Sequence, residues 1–377
     1  MTGVVYALSI SLRFDTVQNR IAIFLSEKIE EYYEIPVKVE AIRISRLNEI
    51  ELKEISLLDQ QGDTILSAEK ATAHISPLRI FKNEIQINTL TVAAPSAMIY
   101  RTSKDSATNI QFIIDKLVKD EDKDKKELGI KINQLLLYDG KFRYDINDSP
   151  CLEEGKLDPS HININDIRCN ISLNELRSNN ASLRIRSIRG REKSGLELQK
   201  FKAMIKVDGQ NISLKNLDIK LPNSSITSDS ICVVYDKENP KALDITGTVK
   251  SKRVSFCDIQ AIFKEELPEI PEFSFTLKGE ADSLSAKAGL ELATHDNSIN
   301  LNTDTEITQP YSTERTAKLD IIQCRVEKSI TGALQPYLPG NVIETIRSVG
   351  FCDVKGDINV SATELEGALS ADRKSVV

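Results

Sequence analysis

Apolar residues along this chain follow one eight-position pattern, apolar-x-apolar-x-x-apolar-x-apolar, that recurs six times. The copies are Val37, Val39, Ile42, Ile44; Ile50, Leu52, Ile55, Leu57; Ile85, Ile87, Leu90, Val92; Ile130, Ile132, Leu135, Leu137; Ile162, Ile164, Ile167, Cys169; and Ile212, Leu214, Leu217, Ile219. Within each half the apolar residues are two apart, the spacing of one face of a β-strand. The central step of three would send the second half to the opposite face. A bulge or kink at the x-x step restores the face and bends the strand. The pattern therefore predicts many curved strands that share one apolar face.

The rest of the chain extends that reading. Val17, Ile21, Phe24, Leu25, Ile29 and Tyr32 fall at helical spacing behind Asp15 or Thr16 as a cap, with Gln18 placed for a capping box, and Pro36 ends the element. Asp59–Thr64 reads as a hairpin turn between strands, with Ile65–Ile75 following it. Thr108–Lys119 reads as a second helix, and the charge run Asp120–Glu127 after it as a solvated loop. From Gly129 the pattern is β, with turns expected at Asp139-Gly140, Asp208-Gly209 and Pro222-Asn223. Val254–Leu267 looks helical up to Pro268, and Leu334–Val349 looks helical but broken by Pro336 and Pro339. Strands joined by brief turns indicate antiparallel meanders, and no linker long enough to separate two globular domains is visible. The expected fold is mainly β: an elongated, curved antiparallel sheet forming a U-shaped hydrophobic groove, with an amino-terminal amphipathic helix and two or three short helices. Residues 1–35 would be an anchor remnant and helix, and residues 36–377 the β-groove domain, incomplete at its carboxyl end.

Composition narrows the partners more than the fold. The 49 Lys plus Arg against 56 Asp plus Glu leave a net charge of −7, Trp is absent and aromatics are 5%. No basic stripe interleaves with aromatics, which argues against nucleic acid as a partner. Val4–Leu12 is apolar but about half the length that crosses a bilayer. Placed directly before an amphipathic helix, it reads as the trimmed end of a membrane anchor.

Candidate chemistry is sparse. Ser67 and Lys70 match S-x-x-K without the accompanying motifs. His74, His161 and His295 stand alone in sequence, with no carboxylate or cysteine at a mechanistic spacing. Asp120, Asp122 and Asp124 imitate a calcium loop, but Lys125 and Lys131 occupy the positions of its Gly and Glu. The six cysteines are far apart with no CxxC, so no metal site is expected, and buried free thiols are the ordinary reading for Cys169 and Cys232. No catalytic residue, cofactor or metal is assigned, and the chain is not read as an enzyme.

Specific segments add a resemblance. Val17-Gln18 opening the first helix, Pro36–Val39, Leu57–Leu66 (LLDQQGDTIL), Arg191–Leu198 and Lys215–Ser224 are similar to the amino-terminal region of the TamB-like translocation and assembly module proteins of Bacteroidetes, in the AsmA-like group. The resemblance implies an inner-membrane anchor of one helix, a long periplasmic β-groove and a carboxyl-terminal domain meeting an Omp85-type outer-membrane barrel. It implies a role in outer-membrane biogenesis by bridge-like transfer of phospholipid. The expected lipid-binding lining is Val37, Val39, Ile42, Ile44, Ile50, Leu52, Ile55, Leu57, Ile85, Ile87, Leu90, Val92, Ile130, Ile132, Leu135 and Leu137. Alternation alone leaves an open trough and a closed sandwich core equally allowed. The alternative function is a scaffold passing outer-membrane proteins along exposed strand edges.

Overall fold

In a computed structural model, the structure describes residues 37–46, 48–76, 84–113, 129–177, 180–235, 243–263, 266–310, 312, 315–361 and 365–372. The expected helix before Pro36, the apolar stretch 4–12, the charge run 120–127 and the second half of the helix expected over 108–119 lie outside them. Residues 111–113 form its opening helical turn. No helix among the described residues is long and apolar enough to cross a membrane. The chain is mainly β and divides into two compact units, residues up to 174 with 185–197, and residues 175–184 with 198 onward.

The first unit opens with β1 (Val37–Arg46), β2 (Glu49–Leu58) and β3 (Thr64–Ile75), paired antiparallel in chain order. β4 (Glu84–Ala93) and β5 (Ser96–Arg101) both pair with β3. β6 (Gly129–Ile132) and β7 (Gln134–Ile146) then pair with β4 and β5 in parallel, where an antiparallel meander was expected. The reason is the long connection from Arg101 to Gly129. Antiparallel neighbours need only a short turn, whereas a connection of this length with a helical turn can carry the chain over to a parallel partner. β8 (His161–Arg177) returns antiparallel on β7, and β9 (Asn180–Glu192) follows.

The Asp139-Gly140 pair is likewise no turn. β7 runs through it, with Asp139 at φ 55° and the register shifting on either side of Gly140. Asp tolerates the left-handed region better than most residues, so this dipeptide serves a bulge as readily as a hairpin.

In the second unit β10 (Glu197–Asp208), β11 (Asn211–Lys220), β12 (Ser225–Tyr235) and β13 (Leu243–Val254) form an antiparallel meander. The turns at Asp208-Gly209 and Pro222-Asn223 are where the sequence predicts them. β14 (Phe273–Ala281), β15 (Ser285–Thr294), β16 (Ile299–Thr308), β17 (Thr316–Glu327), β18 (Phe351–Val360) and β19 (Leu365–Asp372) continue it.

The helix expected over 254–267 shrinks to α1 (Phe256–Ile259) and a 3-10 turn at Gln260–Ile262. Phe256 docks edge-on against Phe273, ring centroids 5.4 Å apart, while Ile262 and Phe263 stay exposed. A short helix is marginal without packing, and with Ile262 and Phe263 left in solvent it gains little by propagating. Between β17 and β18 lie α2 (Thr331–Leu334) and α3 (Gly340–Val349). α3 buries Ile343 and Ile346 and stops at Gly350, whose left-handed φ of 99° lets its N–H reach the Ile346 carbonyl.

Candidate functional site

Strand register assembles the apolar face of the first unit. β1 and β2 pair the first two copies of the repeat apolar to apolar: Val37 with Leu57, Val39 with Ile55, Ile42 with Leu52 and Ile44 with Ile50. The third and fourth copies match in the same way although they run parallel, Ile85 opposite Ile130, Ile87 opposite Ile132, Leu90 opposite Leu135 and Val92 opposite Leu137. Directly opposed residues share a face, so the pairings chain into rows. One row is Ile42, Leu52, Ala71, Val92, Leu137 and Cys169, across β1, β2, β3, β4, β7 and β8. A second is Val37, Leu57, Leu66, Ala97, Phe142 and Ile164. A third joins Ile50, Ala73, Leu90, Leu135 and Ile171.

The x-x step is where backbone irregularity falls. Glu54, Asp166 and Asn216, each the second x of its copy, have φ of 46°, 55° and 52°. Lys53 and Ile55 pair on both sides with β1 and β3, whereas Glu54 pairs with neither. In the third copy the register on β3 shifts at Asn88, and in the fourth Asn133 breaks β6 from β7. In the fifth and sixth, register shifts put Asp166 and Asn216 in bulges opposite β7 and β10. One residue dropped from the alternation at each step keeps the four apolar side chains of a copy in phase.

Within the apolar rows Ile42, Ala71 and Cys169 are buried, at 3%, 6% and 8% exposure, and the other members are half-buried or exposed. Of the thirteen expected lining residues whose side chains are described, only Ile42 is buried, at 3% exposure. Val37, Val39, Ile50, Leu52, Ile55, Leu57, Ile87, Leu90, Val92, Ile132, Leu135 and Leu137 are half-buried. The side chains of Ile44, Ile85 and Ile130 lie outside the described residues. Leu66, in the second row, is 41% exposed. Leu66, Ala71, Ala73, Ala97, Phe142 and Ile171 fall in these rows without being marked by the six copies: Phe142 and Ile171 lie beyond the copies on β7 and β8, and the others are on β3 and β5, which carry none. β3 does alternate from Ala71 to Ile75, but alanine carries little apolar signal.

The other face of β2 and β3 is polar. Glu51 is nearly buried there, with Lys70 Nζ at 2.6 Å and Lys53 Nζ at 3.9 Å. The bond from Lys70 holds the Glu51 carboxyl below its ordinary range, outweighing the opposing effect of burial. Lys70 of the S-x-x-K match is therefore engaged with a carboxylate. In the second unit a depression of about 630 Å³ also opens on a polar stretch, bordered by Thr246, Lys278, Glu280, Lys287, Asp304 and Glu306.

The histidines that stand alone in sequence each have a carboxylate near them in space. Register places Glu49 opposite His74, 3.5 Å away, and Asp145 opposite His161, 3.1 Å away, while Glu272 lies 3.7 Å from His295. Each carboxylate lies outside the histidine's own strand, so no spacing motif records it.

No family model, curated protein or solved structure matches the chain.

Proposed function

We propose that this chain belongs to a periplasmic, bridge-like protein of outer-membrane biogenesis that carries phospholipid acyl chains along the apolar face of its first unit. The observation that carries this reading is the set of apolar rows spanning up to six strands, most of whose side chains are only half-buried. An acyl chain is stabilised by roughly 0.8 kcal/mol for each methylene it buries, so such rows can hold tails while the head group stays in water. The polar depression of the second unit adds nothing to this, and the proposal rests on the first unit. Anchoring in the inner membrane through an amino-terminal helix, and contact with an Omp85-type outer-membrane barrel through a further domain, are part of the same proposal and rest on sequence resemblance.

The test is native mass spectrometry of the purified chain, joined to photocrosslinking from Leu90 and from Thr91, its neighbour of opposite parity. Phospholipid should copurify and crosslink from Leu90 but not from Thr91. A lipid-free chain, or protein adducts from Leu90 in place of lipid, would overturn the proposal; protein adducts would favour a scaffold for outer-membrane proteins.

A further inference from the structure

The loop from β7 to β8 gathers a donor set that the apolar face does not use. Cys151, Asp158 and His161 each present a donor atom, and the three atoms lie within 4.8 Å of one another. Asp158 is buried, and the loop backbone fixes its carboxylate: the Leu152 N–H donates to Oδ2 and the Ser160 N–H to Oδ1, each at 2.9 Å. Cys151 is exposed, so solutes reach the cluster from the loop side.

The imidazole is already oriented. His161 Nδ1 lies 3.1 Å from Oδ1 of Asp145, a buried carboxylate that also accepts from Arg143 Nε. Nε2 lies 2.9 Å from the Ser149 carbonyl oxygen. With acceptors at both nitrogens, the ring is satisfied either by two protons or by one proton and one cation. Keeping the proton on Nδ1, toward Asp145, leaves Nε2 as a ligand. A carboxylate behind a ligating histidine fixes its tautomer and raises its basicity.

We propose that Cys151, Asp158 and His161 form a zinc site, with Asp145 as the positioning carboxylate, that fastens the 147–160 loop to the β7–β8 pair. Thiolate and imidazole donors favour zinc over the hard cations calcium and magnesium. The thiolate and the Asp158 carboxylate together balance the charge of the ion. Binding displaces the thiol proton and any proton on Nε2, and no electron is transferred.

The full chain, freed of metal with a chelator, is titrated with Co²⁺ followed by absorbance and with Zn²⁺ by calorimetry. One equivalent of Co²⁺ should bind with a thiolate-to-cobalt charge-transfer band and be displaced by Zn²⁺. Cys151→Ser should remove that band, and Asp145→Asn should weaken binding roughly 10–100-fold. Cys257→Ser, at an exposed cysteine outside the cluster, should change neither. Zinc should also slow amide hydrogen exchange across residues 147–160. Absence of saturable binding, a charge-transfer band that survives Cys151→Ser, or exchange in the loop that is unchanged by zinc would overturn the proposal. Because Cys151 is exposed, loss of the band in Cys151→Ser reports a lost ligand while circular dichroism confirms the fold.

Discussion

Asp59 shows how one side chain ties a turn to a later strand. It is 3% exposed, and its Oδ1 accepts the N–H groups of Gln61 and Asp63 at 2.9 and 2.8 Å, closing the turn from β2 to β3. Its Oδ2 accepts the hydroxyl of Tyr100 at 2.9 Å, tying that turn to β5. That bond, with burial adding to it, pushes the Tyr100 hydroxyl above its ordinary range. Hydrogen bonds to a charged group contribute about 1.5–3 kcal/mol. Asp59→Ala should therefore cost about 3 kcal/mol and Tyr100→Phe about 1.5 kcal/mol in urea denaturation, and the double variant should cost less than the sum. The turn was legible in the sequence, because Gln60–Asp63 carries turn residues with a glycine that adopts φ 91°. The tie to Tyr100 was not, since nothing local in LLDQQGDTIL names a partner on a later strand.

Glu51 gives the residue scale its pH dependence. Its folded carboxyl titrates below the ordinary value of 4.5, chiefly because Lys70 bonds the charged form. A depressed folded pKa contributes stability above the unfolded value, and that contribution is lost as pH falls through the folded one. Lys70 is half-exposed, so the contribution is about 1 kcal/mol. Wild type should exceed Glu51→Gln by that amount near neutrality, and the two denaturation midpoints should converge as the pH is lowered below 4.5.

At the scale of elements, the six-fold repeat made the parity break legible but not its chemistry. Left-handed backbone was foreseeable at Asp166 and Asn216, whose residue types tolerate it. Glutamate has no such tolerance, and Glu54 is held at φ 46° because β1 and β3 pair on both sides of it. A non-glycine residue in that region costs roughly 1–2 kcal/mol. Glu54→Gly should thus raise stability by up to about 1 kcal/mol, the gain being trimmed by the entropy of glycine in the unfolded chain. Asn216→Val should lower it by about 2 kcal/mol, since a β-branched side chain resists positive φ. Thermal unfolding of the two variants checks both signs. The parallel pairing of β4 and β5 with β6 and β7 was hidden for another reason. Alternation specifies a face, not a direction, and the same apolar rows form whether a strand arrives by a tight turn or by a crossover.

For the molecule as a whole, the difference lies between side chains that hold the fold and side chains that the fold displays. Ile346, 1% exposed on α3, belongs to the first kind. On the proposed function Leu90 belongs to the second: it pairs with Ala73 and Leu135 along a row and is half-buried. Sequence could not separate them, because an apolar residue at the right period looks the same whether or not a second layer covers it. Removing a side chain from a closed core costs about 2–5 kcal/mol for isoleucine to alanine, so Ile346→Ala should shift the urea midpoint by several times as much as Leu90→Ala. The sharper contrast is with charge. Leu90→Asp meets water on its open side and should leave the far-ultraviolet circular dichroism and hydrogen-exchange protection of β3, β4 and β7 close to wild type. In the same preparation it should strip the copurifying phospholipid. If Leu90→Asp instead unfolds the first unit as Ile346→Asp unfolds the second, then the apolar rows are a covered core, and the lipid-carrying reading of that face falls with them.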